Sequence, residues 1–281
     1  MTDKYAKPTN DIDRYAVVGN PISHSKSPQI HAAFAKQTGQ HLSYEAILAT
    51  IDGFAAEIKN LIAQGYKGVN VTVPFKFEAF NLCDELTERA TSAKAVNTLS
   101  FIAGKIFGDN TDGAGLVTDV TQNLKRVIKG QRVLLMGAGG AAYGVVLPLV
   151  HAGAKLSVAN RTPEKAKRLA DTYTKDKIKV WNGSYEDFEN TAFDIVINAT
   201  SSGLRDELPA ISEKNFANKS LAYDMMYSRP TPFRTLAFDC ESQNVQFADG
   251  LGMLVEQAAE AFYVWRGVRP ETAPIIAMLR S

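Results

Sequence analysis

R-V-L-L-M-G-A-G-G-A-A, Arg132 to Ala142, is the stretch on which the reading of this chain turns. Val133 to Met136 form a continuous apolar run, as expected of a strand buried on both faces of a parallel sheet. Gly137, Ala138, Gly139, Gly140, Ala141 and Ala142 follow at once. An apolar, helix-compatible segment then runs from Ala141 to about His151, and Gly153 stops it. Strand, glycine turn and helix in this order let the backbone approach a pyrophosphate and point helix N–H groups at its charge. Ala142 stands where G-x-G-x-x-G has its third glycine, a place that tolerates alanine. A tight turn in any α/β domain would share these features, so the flanking sequence has to decide.

Downstream, Lys155 to Ala159 reads as the next strand and ends in N-R-T-P-E-K. An NAD site would place Asp or Glu here, against the ribose 2′-hydroxyl. The residues present are Asn160, Arg161 and Thr162, with Thr162 capping a helix and Pro163 in its first turn. A guanidinium, a hydroxyl and a helix start suit a 2′-phosphate, which favours NADP(H) over NAD. Phe193 to Asn198, Leu221 to Asp224 and Val245 to Ala248 read as further strands. From Leu251 a helix runs to about Arg266, with Leu254, Ala258, Ala261 and Trp265 on one side and Gln257 one turn beyond Met253. Gly267 and Pro270 separate it from a last helix, about Thr272 to Leu279.

Upstream, Tyr15 to Val18 is a short strand followed by G-N-P-I-S-H-S-K-S-P. Ser27 reads as an N-cap with Pro28 at the first helical position, and Gly39 ends that helix. Ser23 and Ser25 fall in the loop before it: either donors for a carboxylate or a serine-rich turn with a good cap. Leu42 to Leu48 is a second strand, and Asp52 caps a helix to about Gln64 that buries Phe54, Ile58, Leu61 and Ile62. Strand and helix in alternation indicate a parallel sheet. G-V-N-V-T-V-P-F-K, Gly68 to Lys76, places Asn70 and Thr72 on one strand face and Lys76 beyond the carboxyl end, where open α/β sheets bind ligands. Ala95 to Gly108 reads as a hairpin turning at Ala103-Gly104, with Asn97 at its start. D-N-T-D-G then opens a helix to about Lys129, with Leu116, Val120, Leu124 and Val127 on its buried side. Thr111 or Asp112 caps it.

Composition removes several classes. The 281 residues carry a net charge of +1 with no basic block, which disfavours nucleic acid and acidic membranes as partners. The two cysteines, Cys83 and Cys240, lack paired spacing and read as free thiols in a reducing cytoplasm. The polar N-terminus does not read as a signal peptide, and no apolar run approaches membrane length. The four histidines, at 24, 31, 41 and 151, have no ligand spacing, so no metal is expected. Neither G-x-S-x-G nor a phosphate-loop G-K-[ST] occurs.

P-I-S-H-S-K-S-P, N-V-T-V-P-F-K, A-V-N-T, D-N-T-D-G, G-A-G-G-A-A, N-R-T, N-A-T-S-S-G and G-x-G-M-L-V-x-Q-A, in that order, resemble shikimate dehydrogenase. The resemblance runs from about Tyr15 to the last helix and implies reversible NADP-dependent reduction of 3-dehydroshikimate to shikimate in aromatic amino-acid biosynthesis. It implies two α/β domains with the active-site cleft between them. Residues 1–112 would bind substrate, completed by 251–281, and 113–250 would form a doubly wound Rossmann-type domain. By this resemblance Ser23 and Ser25 hold a carboxylate, Asn70, Thr72, Asn97 and Gln257 hold ring hydroxyls, and Lys76 and Asp112 are the catalytic pair. Gly137 to Ala142 hold the pyrophosphate, and Asn160, Arg161 and Thr162 the 2′-phosphate. Thr200, Met225, Gly250 and Met253 line the cofactor, and Tyr227 faces the substrate beside the nicotinamide. Two departures fall near that ring: Leu204 where the family often has Met, and Met225-Met226-Tyr227-Ser228 in place of Y-D-x-x-Y-x-P. The alternatives are a quinate/shikimate dehydrogenase of broader use, a non-catalytic NADPH-binding regulator, or a dehydrogenase of an unrelated carbonyl. The expected partner is a small molecule, and the expected state is monomer or homodimer.

Overall fold

The computed structural model describes residues 12–174, 178–227, 229–240 and 243–281; the N-terminal tail, Ser228 and the side chain of Leu204 lie outside the described residues. Among the described residues the first half holds ten elements: β1 (Asp13–Gly19), α1 (Ser27–Thr38), β2 (Leu42–Leu48), α2 (Phe54–Ala63), β3 (Gly68–Val71), α3 (Lys76–Leu82), β4 (Glu85–Leu86), α4 (Glu88–Ala93), β5 (Thr98–Ile102) and β6 (Lys105–Asp109). They form a sheet of order β2-β1-β3-β5-β6-β4. β1 runs parallel to β2 and β3, while β3, β5 and β6 alternate in direction. Ala103 and Gly104, at φ 50° and 77°, make the tight turn that the hairpin requires. Phe54, Ile58 and Leu61 of α2 fill the core beside Phe75, whose ring stacks on Phe54 at 4.8 Å.

Local capping departs from the sequence expectation at two places. Ser27 is the first helical residue of α1 rather than its cap, and Ser25 Oγ accepts its N–H at 3.3 Å. Gly53, not Asp52, precedes α2 and supplies no side-chain bond. β3 is also shorter than the alternation suggests. The chain leaves the sheet after Val71, turns through Thr72 to Phe75, and leaves Val73 54% exposed. Lys76 therefore opens a helix, α3, instead of trailing a strand.

The second half begins with α5 (Asp112–Thr118), continued by one π turn, Asp119–Asn123. That helix stops well before Lys129, because Lys125 takes φ 54° and reverses the chain. Val127 is consequently 66% exposed and Ile128 takes the buried place expected of it. There follow β7 (Arg132–Met136), α6 (Gly140–His151), β8 (Lys155–Ala159), α7 (Pro163–Thr174), β9 (Trp181–Gly183), β10 (Phe193–Asn198), β11 (Phe216–Asp224), α8 (Pro232–Asp239) and β12 (Gln246–Asp249). All six strands are parallel, in the order β12-β11-β10-β7-β8-β9. This is the doubly wound dinucleotide-binding order, with its reversal between β7 and β10. The glycine turn leaves β7 at that reversal.

Two helices close the chain, α9 (Leu251–Arg266) and α10 (Ala273–Arg280). Met253 joins the core of the second sheet, whereas Val255, Ala258, Ala259 and Phe262 pack on Ile30 and Phe34 of α1 and Ile275 of α10. α9 thus belongs to both halves. It crosses α5 at Gly115, where an added Cβ would lie 2.8 Å from the Gln257 nitrogen and 2.9 Å from the Met253 carbonyl. Among the described residues no helix is long and apolar enough to cross a membrane.

Candidate active site

Lys76 and Asp112 are each the first residue of a helix, one on each side of the point where the halves meet. Lys76 Nζ donates to Asp112 Oδ2 at 2.6 Å, and the residues are 8% and 4% exposed. Two charges so far from water persist only because each neutralises the other and the remaining lone pairs are filled. Asp112 Oδ1 accepts from Asn97 Nδ2 at 2.9 Å, and the Asp112 N–H bonds Asn110 Oδ1 at 3.1 Å. The stem of Lys76 lies against the glycine turn: a Cβ placed on Gly140 would stand 3.2 Å from the Lys76 Cβ. Another placed on Gly144 of α6 would stand 3.1 Å from Asp112 Oδ2. The ion pair therefore sits directly against the nucleotide half.

Asn97 is the hub of the polar groups around this pair. Its Nδ2 is shared among Asp112 Oδ1, Thr111 Oγ1 at 2.9 Å and Gln257 Oε1 at 3.2 Å. Its Oδ1 accepts from the Thr111 N–H at 2.8 Å and from Thr98 Oγ1 at 2.9 Å. Asn70 donates to the Asn97 carbonyl and to Thr98 Oγ1, and its Oδ1 accepts from the Tyr44 hydroxyl at 2.7 Å. The structure thus draws Lys76, Asp112, Asn97, Asn70 and Gln257 into one connected cluster. Thr72 is half-buried where the chain leaves β3, and its N–H bonds the Val18 carbonyl. The serine loop meets the cluster through Ser27, which contacts the Tyr44 phenol. Ser25 is half-buried and Ser23 exposed in that loop.

On the nucleotide side, Gly137 has φ 106°, a value suited to glycine, and an added Cβ would lie 3.1 Å from the Ala199 carbonyl. At Gly139 an added Cβ would meet nothing within 4 Å, so the turn presents an open backbone face. Ala141 is half-buried, and Ala142 is buried in the core of the sheet, which explains why a methyl is accepted in place of the third glycine. Thr200 leans on Gly137 and donates to Asn198 Oδ1 at 2.7 Å. Met225 and Gly250 meet closely, since a Cβ on Gly250 would fall 2.2 Å from the Met225 carbonyl. Tyr227 is half-buried, and burial raises its phenol. At the end of β8, Asn160 Nδ2 bonds the Thr162 carbonyl at 2.9 Å and fixes the turn that carries Arg161. Arg161 is exposed and enters no hydrogen bond or ion pair among the described residues. Its charge reaches Tyr185, whose phenol burial nevertheless pushes up to about 12. Among the described residues, Ser23, Tyr227 and Arg161 enter none of the side-chain hydrogen bonds of the central cluster.

Tyr44, Asn198 and Asp224 are not among the site residues expected from the sequence, nor is Asp119, which accepts from the Tyr223 hydroxyl at 2.6 Å. Asp224 accepts from Asn198, Met226 N–H and Thr231, so it ties together the loops after β10 and β11. Burial raises its carboxyl, and those donors offset part of the rise. The available signal was a polar residue closing an apolar strand, F-D-I-V-I-N and L-A-Y-D. Tyr44 gave no signal, because its partner is reached only through the β1 register.

The six-stranded order and the glycine turn define a dinucleotide-binding protein of two α/β halves. Three family descriptions match in succession: the shikimate dehydrogenase substrate binding domain over residues 17–99, shikimate / quinate 5-dehydrogenase over 119–220, and the shikimate 5'-dehydrogenase C-terminal domain over 250–280. The chain belongs to the shikimate dehydrogenase family. A relative from Methylobacillus flagellatus, a shikimate dehydrogenase (NADP(+)), is 55% identical over 96% of this chain and 100% of its own length. Among solved structures, the Ael1 enzyme from Pseudomonas putida is 45% identical with TM-score 0.87, covering 95% of this chain and 98% of that one. Shikimate 5-dehydrogenase from Thermus thermophilus, in complex with NADP(H) and shikimate, is 30% identical with TM-score 0.83, covering 96% and 99%.

Proposed function

We infer that this chain is an NADP-dependent shikimate dehydrogenase that interconverts 3-dehydroshikimate and shikimate in aromatic amino-acid biosynthesis, with Lys76 and Asp112 as its acid–base pair. Family membership over nearly the whole chain supports the activity. The buried 2.6 Å ion pair, set against the glycine turn and ringed by Asn70, Asn97 and Gln257, is the observation that carries the assignment of the centre.

NADP(H) supplies the hydride when bound. The open backbone face at Gly139, with Gly137, Ala138, Gly140, Ala141 and Ala142 around it, fits a pyrophosphate. Arg161, unpaired among the described residues, fits a 2′-phosphate together with Asn160 and Thr162. Thr200, Met225, Gly250 and Met253 complete that side. Ser23 and Ser25 take the substrate carboxylate, Asn70, Thr72, Asn97 and Gln257 the ring hydroxyls, and Tyr227 faces the ring. As the carbonyl is reduced, negative charge grows on its oxygen. Lys76 Nζ donates a hydrogen bond to that oxygen and then a proton, while Asp112 aims the ammonium. In the oxidative direction Lys76 takes the hydroxyl proton back. Acid–base assistance of this kind contributes ~10²–10⁴-fold.

The substrate half comprises residues 1–112 with 251–281, and the nucleotide half 113–250; the packing of Val255, Ala258, Ala259, Phe262 and Ile275 on Ile30 and Phe34 supports placing the C-terminal helices with the substrate half. Free Cys83 and Cys240 support a reducing cytoplasm, and the chain acts as a monomer or homodimer. The test is absorbance at 340 nm with shikimate or quinate and NADP⁺ or NAD⁺. Fast reduction of NADP⁺ by shikimate alone is expected. Equal rates with quinate or NAD⁺ would place the chain among enzymes of broader use. No reaction with intact NADPH binding would mean a regulator.

A further inference from the structure

Arg89 belongs to none of the motifs quoted from the sequence, yet it holds the turn under the catalytic pair. It is the second residue of α4. Its Nε and Nη2 donate to the two carboxylate oxygens of Asp109, both at 2.6 Å, and its Nη1 donates to Glu260 Oε1 at 2.8 Å. Asp109 is 6% exposed, and its Oδ1 also accepts from Thr87 Oγ1 and the Asn110 N–H. It closes β6, its carbonyl takes the N–H of Asn97, and Asp112 lies three residues on. Glu260 lies one turn beyond Gln257 on α9, and Arg269 holds its other oxygen.

We propose that Arg89 is a positioning residue for this reaction: the Nε–Nη2 edge of its guanidinium fixes the turn bearing Asp112, and Nη1 fixes the helix bearing Gln257. The proposal rests on the roles assigned above to Asp112 and Gln257. The guanidinium is planar and rigid, so its three contacts set the distance between turn and helix together. A lysine offers a point charge on a flexible stem and cannot fork across Asp109 while reaching Glu260. The two arms act on different quantities. The Asp109 arm governs how Asp112 meets Lys76, and so the chemical step. The Glu260 arm governs where Gln257 meets the substrate, and so its affinity. Misplacing a catalytic group by about 1 Å costs on the order of 10²-fold.

The test uses the full-length protein and measures kcat, the shikimate KM and the isotope effect with shikimate deuterated at the carbon being oxidised. Asp109→Asn is expected to lower kcat ~10–100-fold and raise the isotope effect, because chemistry becomes slower than the other steps. Glu260→Gln is expected to raise KM ~3–10-fold with kcat within about twofold. Arg89→Lys should show both changes, and it carries the test alone where Asp109→Asn fails to fold. Folded variants in which kcat and the isotope effect stay at the parent values would overturn the proposal. So would equal effects of the two arms on kcat and KM. Asp112→Asn is the reference: full turnover in that variant would instead refute the catalytic pair itself.

Discussion

Replacing Lys76 by methionine tests the centre of the site most sharply. Methionine keeps the stem that packs on Gly140, so the turn below it keeps its shape. The ammonium is lost, and with it the donor proposed for the developing oxyanion. A loss of ~10²–10⁴-fold in kcat is expected, about 2.7–5.4 kcal/mol of transition-state stabilisation. The substitution also strands Asp112, 4% exposed and bonded to Lys76 at 2.6 Å, as a charge without a cation. Breaking a buried pair in this way costs about 3–5 kcal/mol, or roughly 6–20 °C in melting temperature for a chain of this size. The double variant with Asp112→Asn removes both charges and should regain most of that stability. Its rate should fall no further than ~3-fold below Lys76→Met, because groups that work as a unit are lost once. Rates at 340 nm, melting curves and NADPH binding by fluorescence give the three readouts. NADPH affinity is expected to hold within ~3-fold. A kcat within tenfold of the parent, or rate losses that multiply in the double variant, would refute the reasoning.

Three further outcomes follow from the geometry. Arg161→Ala should raise the NADPH KM ~10–100-fold and leave the NADH value unchanged, since on the proposed role only a 2′-phosphate would lose a charge-assisted bond; an unaltered cofactor preference in steady-state rates would remove Arg161 from that role. Gly137→Ala should cost about 1–3 kcal/mol in urea unfolding and weaken cofactor binding, because alanine is strained at φ 106°; a variant as stable as the parent would contradict this. His31 is 1% exposed, stacks on Tyr44 at 4.1 Å, and is pushed by burial down to about 3. The unfolded chain binds a proton near pH 6.5 that the folded chain refuses until about 3, so this histidine withdraws stability as pH falls through that window. At pH 4.5 the deficit is about 2–3 kcal/mol, and His31→Phe should flatten that part of the stability–pH curve. Identical slopes for the two proteins would sink the idea.

Much of the secondary structure was legible in the sequence. The bounds expected for β2, β8, β10 and α9 coincide with those observed. β8 and β10 are mainly apolar runs that end at a polar cluster, β2 alternates along one sheet face, and α9 keeps a helical period up to Gly267, so local chemistry suffices to mark them. The helix after Asp112 reads too long from the sequence because Leu116, Val120, Leu124 and Val127 keep helical spacing although the backbone turns at Lys125. α3, α4 and α8 leave no helical signature in the sequence. They span six to eight residues, too short to display a period or to be stable without the sheet beneath them.

By itself the sequence determined the glycine turn, the Asn160–Arg161–Thr162 substitution for an acid, and the identity of the polar residues grouped here as a site. Those are statements about residue types at local spacing, and local spacing is what a sequence displays. Only the tertiary structure decided that Lys76 and Asp112, 36 residues apart, meet at 2.6 Å, and that Gln257 reaches Asn97 across 160 residues. The same holds for Arg89, which joins Asp109 to Glu260. Such contacts depend on sheet register and on how closely α5 and α9 approach, and that approach is set by packing at Gly115 rather than by any neighbour in the chain.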